Sequence, residues 1–243
     1  MEDVRVLDGA WDPPRFARAA HALGGLAARR ADPELLAACV LPVGWGLRSY
    51  NSSRVQLVGL PMLERGEVWA HPLLAGAVDG RLRDDLRALG ARVPELLDRM
   101  DGLPQALPHG DASPQNLLVP ADDPDTFVAI DVSFQSPQAV GFDLGQLLVG
   151  LTHAGELPAA ALPAIHRRLV PAFTAGLRAA GGRATAEEVT WGYVASLAVR
   201  AGFTSLPFER LAEPPTPALA ATFAERAALT RVIADLALAL PPA

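Results

Sequence analysis

The chain has 243 residues, half of them hydrophobic and a fifth charged, with a formal net charge of −6. That is enough for one large domain or two small ones around a sizeable core, and it is globular rather than disordered. The acidic balance argues against a nucleic-acid partner. The single cysteine, Cys39, leaves no disulfide framework and no cysteine metal cluster, and it reads as a buried apolar residue. No apolar run approaches the ~18 residues that span a bilayer. The start, Met1 to Arg5, is acidic and unlike a signal peptide. A cytoplasmic protein without a membrane partner is the expectation. Lysine is absent: every basic residue is an arginine.

Asp12-Pro13 reads as a helix start, with aspartate at the N-cap and proline at the first helical position. Phe16, Ala20, Leu23 and Ala27 then recur at helical spacing. A short helix is expected from Asp32-Pro33, carrying Leu35, Leu36 and Cys39. From Leu41 to Pro72 the period dissolves among prolines and glycines, which predicts an irregular insert in which Val55–Leu60 is either helix or strand. Trp45, Tyr50 and Trp69 fall here, either as packing residues or as walls of a pocket. Leu82, Leu86 and Leu89 mark one helix, and Val93, Leu96, Leu97 and Met100 the next, closed by Asp101-Gly102.

Pro104 and Pro108 force an extended approach to His109-Gly110-Asp111-Ala112-Ser113-Pro114-Gln115-Asn116. Two short apolar runs follow, Leu117–Val119 and Phe127–Ile130, around an Asp/Pro-rich turn that reads as a β-hairpin. A turn centred between Asp123 and Pro124 would pair Leu118 with Ala129 and Asn116 with Asp131. Two oxygen ligands would then stand side by side at the open end, with Asp111 just before them. Such ligands suit Mg²⁺, usually held by one or two carboxylates plus substrate phosphates. Two carboxylates about 4 Å apart repel by roughly 4 kcal/mol at an effective dielectric of 20, so a fold that gathers them usually supplies a cation. Further on, Asp143 opens a helix carrying Leu144, Leu147, Leu148 and Leu151, where capping alone would explain it. Three long helices finish the chain. The first carries Leu162 to Leu177, the second opens with a capping-box pattern at Thr185–Glu188, and the third opens at Thr216-Pro217. His21, His71, His153 and His166 share no metal-ligand spacing, and Arg200 and Arg29-Arg30 read as solvated helix faces.

The pattern H-x-D-x-x-x-x-N followed by an apolar strand ending in aspartate resembles the catalytic and metal-binding loops of protein-kinase-like folds. His109-Gly110-Asp111 and Gly141-Phe142-Asp143-Leu144-Gly145 are more similar to the aminoglycoside phosphotransferase family. The resemblance implies a mainly α fold with a small β-hairpin, the large C-terminal lobe of that fold. In it Asp111 is the catalytic base, Asn116 and Asp131 hold Mg²⁺, and His109 and Asp143 brace the catalytic loop. Ser113 either reaches the transferring phosphoryl group or packs within its turn. One lobe would fill 1–243, with a hinge-like start at 1–8, catalytic and metal loops at 109–143 and a helical subdomain at 144–243. The reaction implied is transfer of the γ-phosphoryl group of ATP to a small-molecule hydroxyl.

Such a site also needs a backbone cradle over the phosphates and usually a lysine. Neither G-x-G-x-x-G nor G-x-x-x-x-G-K-[ST] occurs. The nucleotide-binding small lobe is therefore expected to be missing through N-terminal truncation, with low activity and an apolar docking face that favours self-association. The alternative is a non-catalytic remnant or binding domain that keeps the large-lobe fold.

Overall fold

The computed structural model describes residues 5–7, 9–133 and 136–242. Residues 1–4 and 8 of the expected hinge-like start lie outside that range. The chain is mainly helical, and among the described residues there are two small antiparallel sheets.

Helix α1 (Pro13–Arg29) starts where Asp12 accepts a hydrogen bond from the Arg15 N–H at 2.8 Å. It buries Phe16, Ala19, Ala20, Leu23 and Ala27. The short α2 (Pro33–Ala37) is capped by Asp32 but buries nothing. Cys39 lies past its end and is half-buried, its thiol donating to the Leu35 carbonyl at 3.4 Å. The expectation of a buried cysteine is corrected, because α2 is a surface turn.

The stretch read as irregular is instead helical almost throughout. Helix α3 (Trp45–Tyr50) runs into a nine-residue π-helix (Asn51–Gly59) and then α4 (Leu60–Glu64). Short turns α5 (Gly66–Trp69) and α6 (Pro72–Ala75) follow. The winding is loosened where Ser52 and Ser53 donate to backbone carbonyls four residues earlier, which competes with the regular ladder. Pro61 has no N–H to place in a ladder and falls just past the loosened run. These are the residues that hid the helix from a 3.6-residue period.

Two expected helices are one, α7 (Leu82–Asp101), whose apolar stripe runs unbroken from Leu82 to Met100. Arg48 ties α3 to its end, with Nη2 at 2.8 Å from Asp98 and 2.6 Å from Asp101. Strand β1 (Gln105–Ala106) pairs with β4 (Gln138–Ala139), and β2 (Leu117–Leu118) pairs with β3 (Val128–Ala129). The chain then continues as α8 (Asp143–Ala154), α9 (Leu162–Ala179), α10 (Ala186–Ala201) and α11 (Pro217–Leu238). The capping box of Thr185 and Glu188 is formed, and Thr216 caps α11. Helix α10 is buried on nearly every side, against α7, α8, α9 and α11. Among the described residues no helix is long and apolar enough to cross a membrane.

Helices α1 and α9 cross at glycines. A Cβ on Gly24 would sit 2.0 Å from the Phe173 carbonyl oxygen, and one on Gly176 1.9 Å from that of His21. Any side chain at either position must push the helices apart. Gly176→Ala is therefore expected to cost about 1–3 kcal/mol by overpacking, read as a lower urea midpoint at unchanged slope.

His153, in the last turn of α8, has Nε2 2.9 Å from Ser205 Oγ, while that hydroxyl donates to the Ala201 carbonyl at 2.8 Å. Nε2 must then carry the proton and donate. Burial, helped by nearby Arg226 and Arg200, pushes the imidazole down from 6.5 to about 4. Below about pH 6.5 the unfolded chain takes up a proton that the folded one refuses, so stability falls as pH drops towards 4, by at most on the order of 3 kcal/mol. Urea titrations at pH 7 and 4.5 should show a smaller acid loss for His153→Gln than for the wild type.

Candidate active site

The loop at 109–116 is positioned from both ends. On its approach, the Leu107 N–H donates to the Arg30 carbonyl at 3.0 Å. Gly110 then takes φ +89°, a left-handed turn that favours glycine. The turn aims two successive N–H groups at one carboxylate: Asp143 Oδ2 accepts from His109 N at 2.9 Å and Oδ1 from Gly110 N at 2.8 Å.

Asp143 is not the N-cap of its own helix. Phe142 holds the cap position without a side-chain bond, and Asp143 is the first helical residue. Its carboxylate reaches back to the loop instead. Burial pushes the carboxyl up from its ordinary range, opposed by the Gly110 and His109 N–H groups and by the charge of Arg200. With both oxygens accepting from N–H donors, this geometry holds the ionised form.

His109 is fully buried. Its Nδ1 accepts from the Asp111 N–H at 3.3 Å, which places the proton on Nε2, and Nε2 has no hydrogen-bond partner among the described residues. Its carbonyl accepts from Ser133 N at 2.8 Å, joining the loop to the segment after Asp131.

The Asp111 side chain is 40% exposed. Asn116 Nδ2 donates to the Asp111 carbonyl at 2.9 Å and lies 3.2 Å from Oδ2. On the other side Arg200 Nη2 lies 3.4 Å from Oδ1, and Nη1 donates to the Gly110 carbonyl. Arg200 also lies over the Phe142 ring, 5.9 Å from its centroid. The reading of Arg200 as a solvated face is corrected: its side chain is 14% exposed, and burial lowers its pKa. Its signal in the sequence was its setting, one charge inside Val194-Ala-Ser-Leu-Ala-Val199 and Ala201-Gly-Phe203, where a solvated face would show several polar residues.

Ser113 is buried, close against Gly150 of α8, so its surroundings are those of the packing alternative. Asn116 ends a tight turn from Pro114, and its carbonyl accepts from Ile130 N at 3.0 Å. The hairpin register differs from expectation by one residue: Leu117 faces Ala129 and Leu118 faces Val128. Asn116 is therefore opposite Ile130, and Asp131 follows one place later, exposed and with φ +55°. The cause lies at both ends of the loop. The turn closes from Asp123 to Thr126 with Pro124 in its second place, and Leu7 and Arg5 take the backbone groups of Val119 and Ala121. Strand β2 consequently leaves the hairpin after Leu118.

Among the described residues no group of three or more His, Cys, Asp or Glu side chains is placed to hold a metal. Asn116 offers an amide oxygen and Asp131 an exposed carboxylate, but the register shift no longer sets them opposite one another. Both are hard ligands of the kind Mg²⁺ takes alongside substrate phosphates.

Comparisons with family models, with curated proteins and with solved structures returned no match.

Replacing Asp143 by asparagine leaves one acceptor for two N–H groups and turns an amino group towards the other. Asp143→Asn should destabilise the fold by about 2–3 kcal/mol, the scale of a charge-assisted bond lost in a buried place. Chemical denaturation measures this, and amide exchange should accelerate first at His109 and Gly110.

Proposed function

We propose that the chain is the large lobe of an aminoglycoside-phosphotransferase-like kinase, which transfers the γ-phosphoryl group of ATP to a small-molecule hydroxyl. The observation that carries this reading is the setting of Asp111. A part-exposed carboxylate is held between an amide and a guanidinium, on a loop clamped by a second, buried carboxylate.

Asp111 receives the proton of the acceptor hydroxyl as the new O–P bond forms. The bond from γ-phosphorus to its bridging oxygen breaks, and that electron pair leaves with ADP. General-base help of this kind is worth typically ~10²–10⁴-fold. Asn116 holds the Asp111 loop in shape through its amino group; Asn116 and Asp131 would be the residues to hold Mg²⁺. When bound, Mg²⁺ supplies charge neutralisation on the transferring phosphates. Asp143 and His109 act on the backbone of the loop, so both are positioning residues.

With no lysine anywhere in the chain, the electrostatic clamp on the α- and β-phosphates must come from arginine or from outside the chain. That deficit favours the second reading, a binding domain with the same fold and no turnover. Calorimetry with Mg-ATP and a phosphate-transfer assay separate the two. The chain alone is expected to bind Mg-ATP in the high-micromolar to millimolar range with slow turnover, and Asp111→Asn should lower turnover by ~10²–10⁴-fold at unchanged nucleotide affinity. Turnover indifferent to Asp111→Asn would remove the base from this scheme, and low-micromolar Mg-ATP binding would refute the weak-clamp account.

A further inference from the structure

A cleft of about 520 Å³ lies between the helical stretch 50–62 and the segment after α10. One wall is a stripe at every fourth residue, Tyr50, Arg54, Val58 and Met62. In an α-helix of 3.6 residues per turn such a stripe drifts by about 40° at each step. The wider winding of Asn51–Gly59, where Leu60 N donates to the Val55 carbonyl five residues back, turns it back towards one face. The facing wall is Phe203, Leu206 and Phe208, with Glu209 beside them.

The cleft is linked to Asp111 by hydrogen bonds along the end of α10. Arg200 contacts Asp111, and one turn later the Thr204 hydroxyl donates to the Arg200 carbonyl at 3.0 Å. Tyr50 Oη lies 3.1 Å from Thr204 Oγ1. The Thr204 hydrogen being used, Tyr50 is the donor, so the rim of the cleft is tied to the residue that holds the candidate base. Tyr50 is also within electrostatic reach of the Arg200 guanidinium.

We infer that this cleft seats the acceptor of the proposed transfer, and that the acceptor is a compact amphipathic alcohol with an aromatic or branched apolar body and balanced charge. Its role as acceptor rests on the phosphotransferase reading; its chemistry rests on the walls. Three aromatic rings and three aliphatic side chains favour an apolar body, and the volume falls within the ~300–1,000 Å³ of small-molecule pockets. The charges are one carboxylate, Glu209, and one guanidinium, Arg54. Arg226 lies within electrostatic reach of Glu209 as well. A ligand carrying several ammonium groups would find a single carboxylate that already lies within electrostatic reach of Arg226 and Arg210, and unpaired charges are costly to take from water.

The probes are 3-phenylserine, a zwitterionic aromatic alcohol, and 2-deoxystreptamine, a dicationic aminocyclitol. Each is titrated into the 243-residue chain without nucleotide while the ring resonances of Tyr50, Phe203 and Phe208 are followed by NMR. Phenylserine should shift them saturably and bind at least tenfold more tightly than 2-deoxystreptamine. Phe208→Ala and Val58→Asp, both at positions with solvent exposure, should each weaken it at least fivefold. Equal or tighter binding of 2-deoxystreptamine, or phenylserine binding that ignores both variants, overturns the inference. A chain that seats phenylserine here but binds no Mg-ATP supports the ligand class and sinks the phosphotransferase reading. One that binds Mg-ATP while phenylserine leaves these rings unmoved does the reverse.

Discussion

The Asp143 carboxylate is the constraint from which the rest of the site follows. It spans 34 residues to His109 and 33 to Gly110, and it does so from the first position of a helix that is itself buried. Because both oxygens are engaged, the peptide planes of His109 and Gly110 are fixed relative to α8. The imidazole of His109 then accepts from Asp111 N, and the Gly110 carbonyl accepts from Arg200. The position of the exposed Asp111 carboxylate is thus set by buried groups on α8 and α10 rather than by its own loop. A carboxylate held this way loses little entropy on binding a ligand, which is the structural content of preorganisation.

The helical scaffold explains why α8 and α10 can serve as such references. α10 is buried nearly all round, so Arg200 is delivered from the centre of the molecule. The crossing of α1 and α9 allows backbone-to-backbone approach at Gly24 and Gly176, and α8 packs against both helices. Rigidity at that crossing is felt at Asp143 through one layer of packing.

Features set by local chemistry were legible in the sequence. The Asp12-Pro13 start, the Thr185–Glu188 capping box and the Thr216-Pro217 start each depend on a few neighbouring residues, and each is present. The juxtaposition of His109, Asp111 and Asn116 was legible too, because a loop of eight residues holds them. What escaped depended on distant partners. The hairpin register is decided by Arg5 and Leu7 taking the edge of β2's continuation, and a one-residue shift is invisible in a run of similar apolar residues. Arg200 was misjudged because its partners lie 89 and 90 residues earlier. The π-helix was missed because a widened turn has no 3.6-residue period to find.

Residues 5–7 pair with the chain at 119–121, just beyond the hairpin strand that follows Asn116. Leu7 N donates to the Val119 carbonyl and Ala121 N to that of Arg5, each at 2.8 Å, with Val6 bridged to Pro120. These contacts lie three to five residues from Asn116, just past strand β2. Tension applied at Arg5 would travel along this short lever to the amide that steadies Asp111, with no helix needing to move. A tether on that segment would act on the site as a bowstring acts on its nock.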